Sequence, residues 1–421
     1  MDDNNKGTAS FSFEQQRSAF QRHFSAMIKV VGPVCNLDCD YCYYIEKDAL
    51  YPGKQMNLRS FGMSKEVLEK FTADFIAAQP GEHVEFIWHG GEPTLLGLDY
   101  YKYAVELQKK YANGKKISNV IQTNGTRIND DWAMFLKDEN FLCGISIDGP
   151  QKFHDKHRRY HNGKGSWGGA MRCIDYFTKH GVDFNTMSVV NASNSREPII
   201  VYEFLKGIGS RFMQFSPIVE RIAIDDDVDM SIVDNKYAKE TALMNENVTG
   251  PEWGNFLCRI FDHWVKRDVG FVYVNWFDNT LAAYAGQNPM LCSMAPDCTC
   301  ALAVEHNGDA YTCDHFVFED QKLGNIFTTD IAEMAKSDKQ LFFEEAKKAT
   351  LSSRCRQCSF LRMCGGDCPK NRIAKTSQGE DISALCAGFR MFFEHTRKPF
   401  EFMANELKYR RPPANVMRQK F

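Results

Sequence analysis

Cys35-Asn36-Leu37-Asp38-Cys39-Asp40-Tyr41-Cys42 places three thiols at C-x3-C-x2-C spacing directly after the apolar run Met27 to Val34. A thiolate is a soft ligand suited to zinc and to iron–sulfur clusters, and three thiols this close together form a ligand set rather than core packing. The number three is informative. A structural zinc site closes with four protein ligands, whereas a cubane held by three cysteines keeps one iron open to a substrate or cofactor.

Working outward, that apolar run is the first of six β-rich segments: Ala26 to Val31, Val84 to Trp88, Ile117 to Gln122, Leu142 to Ile147, Asp183 to Val190 and Phe212 to Phe215. Helical patterns alternate with them at Ser64 to Ala78, Tyr100 to Tyr111, Asp130 to Lys137, Trp167 to His180 and Arg196 to Gly207, as the 3.6- and 2-residue apolar periods indicate. Ser64 is placed to cap one helix and Gly181 to stop another. The alternation predicts an α/β fold with a parallel sheet, a partial (β/α)6 TIM-like barrel short of the eight-fold form. Each strand pattern runs into an unusual loop: the cysteines, Gly90-Gly91-Glu92-Pro93, Thr123-Asn124-Gly125, Asp148-Gly149, Asn191 and Pro217. In barrel-like parallel folds such loops open onto one face, where active sites sit, so all six are expected to converge.

The 421 residues suggest two or three domains. Lys plus Arg is 51 against 54 Asp plus Glu, so no global field favours nucleic acid or an anionic membrane. No run of eighteen apolar residues occurs, and Met1 to Phe13 is polar without a signal-peptide pattern. The expectation is a soluble cytoplasmic protein with no nucleic-acid or membrane partner. Fifteen cysteines in a reducing compartment point to metal binding rather than to disulfides.

The expected organisation is a lead-in over 1–22, the barrel over 23–217, a bridging helical segment over 218–290, a cysteine-rich domain over 291–390 and a C-terminal helix and tail over 391–421. Within the bridge, Asp225 to Asp229 reads as a solvated acidic loop, and helical patterns occur at Asn235 to Asn247 and Trp253 to Arg267. Val304 to Cys313 reads as a hairpin, with Asn307-Gly308 suited to a tight primed turn. The basic tail Lys408 to Phe421 reads as a mobile end.

The C-x3-C-x2-C motif with Tyr41 before its last cysteine, placed after a first strand and followed by Gly90-Gly91-Glu92-Pro93, resembles the radical S-adenosylmethionine (SAM) enzymes over about residues 24 to 216. The resemblance implies a [4Fe–4S] cluster on Cys35, Cys39 and Cys42. Its open iron would chelate SAM, which electron transfer cleaves to a 5′-deoxyadenosyl radical. It also implies that Gly90, Gly91 and Glu92 hold the SAM amino group and that Ser146 and Asp148 meet the ribose. Arg158 is a candidate for the SAM carboxylate, with a solvated surface arginine as the alternative.

Cys292-x5-Cys298-x14-Cys313 and then Cys355-x2-Cys358-x5-Cys364-x3-Cys368-x17-Cys386 resembles the SPASM domain with its two auxiliary [4Fe–4S] clusters. Family wiring implies Cys292, Cys298, Cys313 and Cys368 on the first and Cys355, Cys358, Cys364 and Cys386 on the second. Three [4Fe–4S] clusters and SAM are thus the implied cofactors. Eight thiols saturate two cubanes and leave Cys143, Cys173, Cys258 and Cys300 to pack as small hydrophobes; two zinc sites are the alternative use of the eight.

Among SPASM proteins the full eight-cysteine spacing, with Asp314 directly after Cys313, resembles the anaerobic sulfatase-maturating enzymes. That implies oxidation of a Cys or Ser in a Cys/Ser-x-Pro/Ala-x-Arg motif of an unfolded sulfatase to Cα-formylglycine. The adenosyl radical would remove a Cβ hydrogen, Asp314 would take the thiol or hydroxyl proton, and an electron would leave through an auxiliary cluster. An electron donor such as flavodoxin or ferredoxin is the further partner implied. Tyr44 and His89 are candidate substrate contacts, His89 standing where some relatives have Gln. Another SPASM-type peptide modifier, for example one forming thioether crosslinks, and a non-catalytic metal-cluster protein are the alternatives.

Overall fold

The computed structural model describes residues 22–224 and 241–421. The lead-in before residue 22, the acidic run Asp225 to Asp229 and the start of the Asn235 to Asn247 pattern lie outside the described residues. Six strands form where apolar runs predict them: β1 Ser25–Lys29, β2 His83–His89, β3 Lys116–Thr123, β4 Leu142–Ser146, β5 Phe184–Val190 and β6 Phe212–Pro217. They pair in parallel in chain order, and helices cover the sheet, as parallel sheets require. These are α1 Lys65–Ala78, α2 Leu98–Tyr111, α3 Asp130–Asp138, α4 Trp167–His180 and α5 Pro198–Gly207. Local chemistry sets their ends. Ser64 accepts the Val67 N–H at 3.2 Å, Asn129 accepts that of Trp132 at 3.0 Å, and Gly181 stops α4 in the left-handed region.

The sheet continues beyond these six strands. At one edge β7, Tyr273–Val274, pairs in parallel with β6. At the other, β8, Ala301–Glu305, pairs in parallel with the whole of β1, from Ser25↔Ala301 to Lys29↔Glu305. The expected hairpin then forms as β8 and β9, Asp309–Tyr311, with β10, Lys322–Asn325, antiparallel beyond it. The result is one ten-stranded sheet in the order β7-β6-β5-β4-β3-β2-β1-β8-β9-β10. An incomplete barrel leaves the edge of β1 with unpaired backbone groups, and the cysteine-rich region supplies the strand that satisfies them. The cysteine-rich region expected over 291–390 therefore contributes strands to the barrel's sheet.

The bridge also differs from expectation. Thr241–Leu243 is a strand antiparallel to Arg221–Ala223, so the described end of the Asn235 to Asn247 pattern is not helical: a cross-strand partner overrides the helical period. Helix α6, Gly250–Trp264, begins earlier than Trp253 because Thr249 and Glu252 form a reciprocal capping box. The longer helices that follow are α7 Asn275–Tyr284, α8 Asp338–Ala349 and α9 Cys386–Lys408, the last starting before the expected boundary at 391. Helices α6 and α9 meet backbone to backbone, since a Cβ on Gly388 would stand 2.0 Å from the Gly250 carbonyl oxygen. The tail is docked, not mobile. Pro413–Arg418 forms a 3-10 turn, Val416 is buried, and Asn415 Nδ2 donates to Glu406, so apolar burial outweighs the basic composition.

Candidate active site

The cysteine loop and the Gly90-Gly91-Glu92-Pro93 loop are built against each other. Gly91 N–H donates to Gly32 O at 2.8 Å and Glu92 N–H to Val34 O at 2.9 Å. A Cβ on Gly91 would lie 2.0 Å from the Val34 carbonyl oxygen, and Gly90 has φ +127°, so only glycine permits this approach. Glu92 is 1% exposed. Its carboxylate accepts from Thr94, from Thr123 Oγ1 at 2.7 Å and from Asn124 N–H at 2.7 Å. Those bonds tie this loop to the end of β3, and Asn124 Nδ2 in turn donates to Asn36 Oδ1 at 3.0 Å, inside the cysteine loop. The predicted convergence of the strand-end loops is thus a connected hydrogen-bond network.

Asp148 is fully buried. It accepts Arg158 Nε at 2.9 Å and Nη2 at 3.2 Å, the Val189 N–H at 2.8 Å and the Tyr41 hydroxyl. Burial alone would raise its pKa, but the Arg158 guanidinium outweighs this and holds it below the ordinary carboxylate value. Arg158 is itself buried, so it is not a solvated surface arginine, and its strand Arg158–Tyr160 pairs with Leu37–Cys39. Ser146 is partly exposed and accepts Gln122 Nε2 at 3.0 Å.

The second half of the site lies on the β1–β8 seam. Lys29 is fully buried. Its ammonium pairs with Asp314, stands 3.1 Å from His89 Nδ1 and lies over the Tyr44 ring. Burial would raise the Asp314 pKa, but the Lys29 charge dominates and holds the carboxyl well below the usual range. Burial and then Lys29 push His89 down to about 4, and its Nδ1 accepts the Gly90 N–H at 2.8 Å. The imidazole is therefore neutral, with its proton on Nε2. Three tyrosines around Cys42 each donate to a buried carboxylate: Tyr41 to Asp148, Tyr43 to Asp314 and Tyr44 to Glu305. Tyr44 is 2% exposed, with its hydroxyl committed to Glu305, whereas the neighbouring Tyr43 meets Asp314. Sequence reasoning missed Lys29, Tyr43 and Glu305. Lys29 carried a signal, a lone charge inside a buried apolar strand; the others became visible only once β8 was laid beside β1.

The fifteen cysteines divide by burial as they divide by spacing. Cys143, Cys173, Cys258 and Cys300 are buried, and all eleven predicted ligands are partly or fully exposed. Cys355, Cys358, Cys364 and Cys386 line one cavity of about 240 Å³ with Phe360 and Phe389. Cys292, Cys298, Cys313 and Cys368 form a second group, linked by the mutual influence of their charges. Zinc–thiolate bonds of 2.3 Å in a tetrahedron place sulfurs about 3.8 Å apart. Among the described residues no three of these sulfurs come within 4.8 Å of one another; Glu203, His263 and Asp268 are the group that does, and there Lys206 already occupies Asp268 at 2.8 Å. Burial raises the thiols, Cys39 to about 12 and Cys298 to about 11, so thiolates here call for positive charge such as iron supplies.

The sequence matches the radical SAM superfamily over residues 30–205 and the iron-sulfur cluster-binding SPASM domain over residues 292–359. It is 45% identical over 400 residues to a serine-type anaerobic sulfatase-maturating enzyme of Bacteroides thetaiotaomicron, covering 95% of each chain. It is 32% identical over 393 residues to a cysteine-type enzyme of Clostridium novyi, covering 92% of this chain and 99% of that one. The solved structure of anSMEcpe with bound AdoMet and Cp18Cys peptide superimposes with a TM-score of 0.78 at 29% identity, covering 91% of this chain and 99% of that one.

Proposed function

The chain belongs to the anaerobic sulfatase-maturating enzymes of the radical SAM superfamily, and from that premise we propose that it oxidises a Ser or Cys of an unfolded sulfatase Cys/Ser-x-Pro/Ala-x-Arg segment to Cα-formylglycine. Peptide-bound anSMEcpe supports a peptide substrate. The observation that carries the chemistry is Asp314, a buried ionised carboxylate on the seam between the two cysteine regions. When bound, SAM and the three [4Fe–4S] clusters supply the 5′-deoxyadenosyl radical that removes a Cβ hydrogen and the route by which one electron leaves.

The chain's own residues supply position and proton management. Cys35, Cys39 and Cys42 would hold the first cluster, and Gly90, Gly91 and Glu92 shape the backbone cradle for the SAM amino group. Because the oxygens of Asp148 are taken by Arg158, Tyr41 and Val189, its part is to fix Arg158 and Tyr41 beside the cluster loop, leaving Ser146 as the freer polar group for the ribose. Asp314 accepts the substrate's hydroxyl or thiol proton, and Lys29 keeps it ionised beforehand. His89 and the Tyr44 ring border Lys29 and form the adjoining wall for the peptide. Cys292, Cys298, Cys313 and Cys368 would hold the first auxiliary cluster, and Cys355, Cys358, Cys364 and Cys386 the second. An external carrier of the flavodoxin or ferredoxin kind would exchange electrons with the enzyme in the cytoplasm.

Mass spectrometry of paired Ser- and Cys-type peptides after incubation with reduced, reconstituted enzyme tests this. An aldehyde product with 5′-deoxyadenosine is expected, together with loss of peptide oxidation but persistent SAM cleavage in Asp314→Asn. SAM cleavage with no peptide mass change in the native enzyme would sink the proposal.

A further inference from the structure

Lys347, on α8, is fully buried. Its ammonium donates to the carbonyls of Cys292 at 2.6 Å, Ser293 at 3.0 Å and Ala295. These partners are neutral, and Lys347 forms no ion pair among the described residues. Behind it the buried Arg372 repeats the arrangement. Its guanidinium donates to Lys347 O at 2.8 Å, Thr350 Oγ1 at 2.9 Å, Gly366 O at 2.9 Å and Asp367 O at 3.2 Å. Two buried cations thus stand near the buried carboxylate Asp367, whose oxygens accept from Cys368 N–H at 2.7 Å, Ser383 Oγ at 2.7 Å and Asn371, while the buried Glu344 one turn before Lys347 is already paired with Arg22.

Burying a cation against neutral dipoles alone is unfavourable, so the excess positive charge calls for an anion. The Lys347 ammonium is anchored on the backbone of Cys292 itself, and Arg372 on that of Asp367, the residue before Cys368. Four thiolates around an iron–sulfur core carry net negative charge, and that charge grows by one on reduction. We propose that Lys347 is the buried counter-charge of the first auxiliary centre, held by Cys292, Cys298, Cys313 and Cys368, and that it raises this centre's reduction potential. This rests on the ligand assignment proposed above. A buried positive charge favours the reduced state because little water screens it. The arginines at the other cavity, Arg354 and Arg390, are exposed and so are screened. Tuning is therefore confined to the centre that shares Cys313 with its neighbour Asp314, where an electron acceptor is useful.

The test is an EPR-monitored potentiometric titration of the reconstituted holoenzyme, with iron counted on the same samples, for native protein, Lys347→Met, Lys347→Arg and Asp367→Asn. In Lys347→Met the reduced-to-oxidised ratio of one auxiliary centre at fixed potential should fall at least tenfold, which is about 59 mV for one electron. Lys347→Arg should restore it, and Asp367→Asn should shift it the opposite way. A native midpoint in iron-replete Lys347→Met, or shifts of the same sign in Lys347→Met and Asp367→Asn, would overturn the proposal. If Lys347→Met fails to load iron, Lys347→Gln replaces it, and an unchanged midpoint in that iron-replete variant refutes the proposal. A native iron content of about eight rather than about twelve per chain would instead defeat the ligand assignment.

Discussion

Asp148, under the barrel's cysteine loop, and Asp314, on the seam with the cysteine-rich region, are both buried beside a buried cation, and both receive a hydroxyl from the same Tyr41-Cys42-Tyr43 turn. They differ in how the carboxylate is finished. Arg158 grips Asp148 through two nitrogens while Val189 N–H and Tyr41 take further lone pairs, which leaves nothing to offer a reactant. Lys29 gives Asp314 a single compact charge, so Asp314 stays ionised yet keeps acceptor capacity. A planar fork saturates a carboxylate, whereas an ammonium holds it ionised and leaves lone pairs free to accept a substrate's hydrogen bond. One pair is therefore saturated, while the other keeps the acceptor capacity that the proposed chemistry requires.

That contrast can be broken experimentally. The largest effect is expected from Arg158→Met, which strands the buried Asp148 charge and should cost about 3–5 kcal/mol of stability by thermal or denaturant unfolding. Asp314→Asn should leave the unfolding midpoint nearly unchanged while lowering peptide oxidation about 100-fold or more; equal destabilisation by both changes would erase the distinction. Gly388→Ala should cost about 1–3 kcal/mol by forcing α6 from α9 and should reduce iron at the centre that includes Cys386, read by iron analysis. Tyr43→Phe should cost about 1 kcal/mol at Asp314, a several-fold loss in peptide oxidation with SAM cleavage intact.

The acid limb of stability gives a finer test. The folded-state pKa of Asp148 lies below its unfolded value, so its contribution is present above about pH 4 and is lost as pH falls through the folded value. Asp148→Asn should flatten that limb in unfolding experiments across low pH, and an unaltered acid profile would show that Arg158 does not stabilise the charge.

Most of the barrel was legible because its information is local. The runs ending at His89, Thr123, Val190 and Pro217 alternate buried residues with more exposed ones, the two-residue period of a strand, and Ser64 and Gly181 mark helix ends by their own chemistry. The Thr241–Leu243 strand was misread because its partner, Arg221–Ala223, rather than its own period, fixes its conformation. The docked tail was misread because composition does not show that Val416 meets an apolar surface.

The sequence alone determined the cysteine inventory, the division of fifteen thiols into eleven candidate ligands at motif spacing and four outside it, and the presence of Asp314 beside Cys313, because spacing and residue chemistry are properties of the chain. Only the tertiary structure decided that β8 completes the edge of β1 and so brings Glu305 opposite Lys29 and Asp314 against its ammonium. The reason is physical: the open edge of an incomplete barrel is satisfied by backbone hydrogen bonds from a strand nearly 300 residues away, and backbone pairing leaves no local mark in sequence. The Lys29–Asp314 pair is a product of that seam.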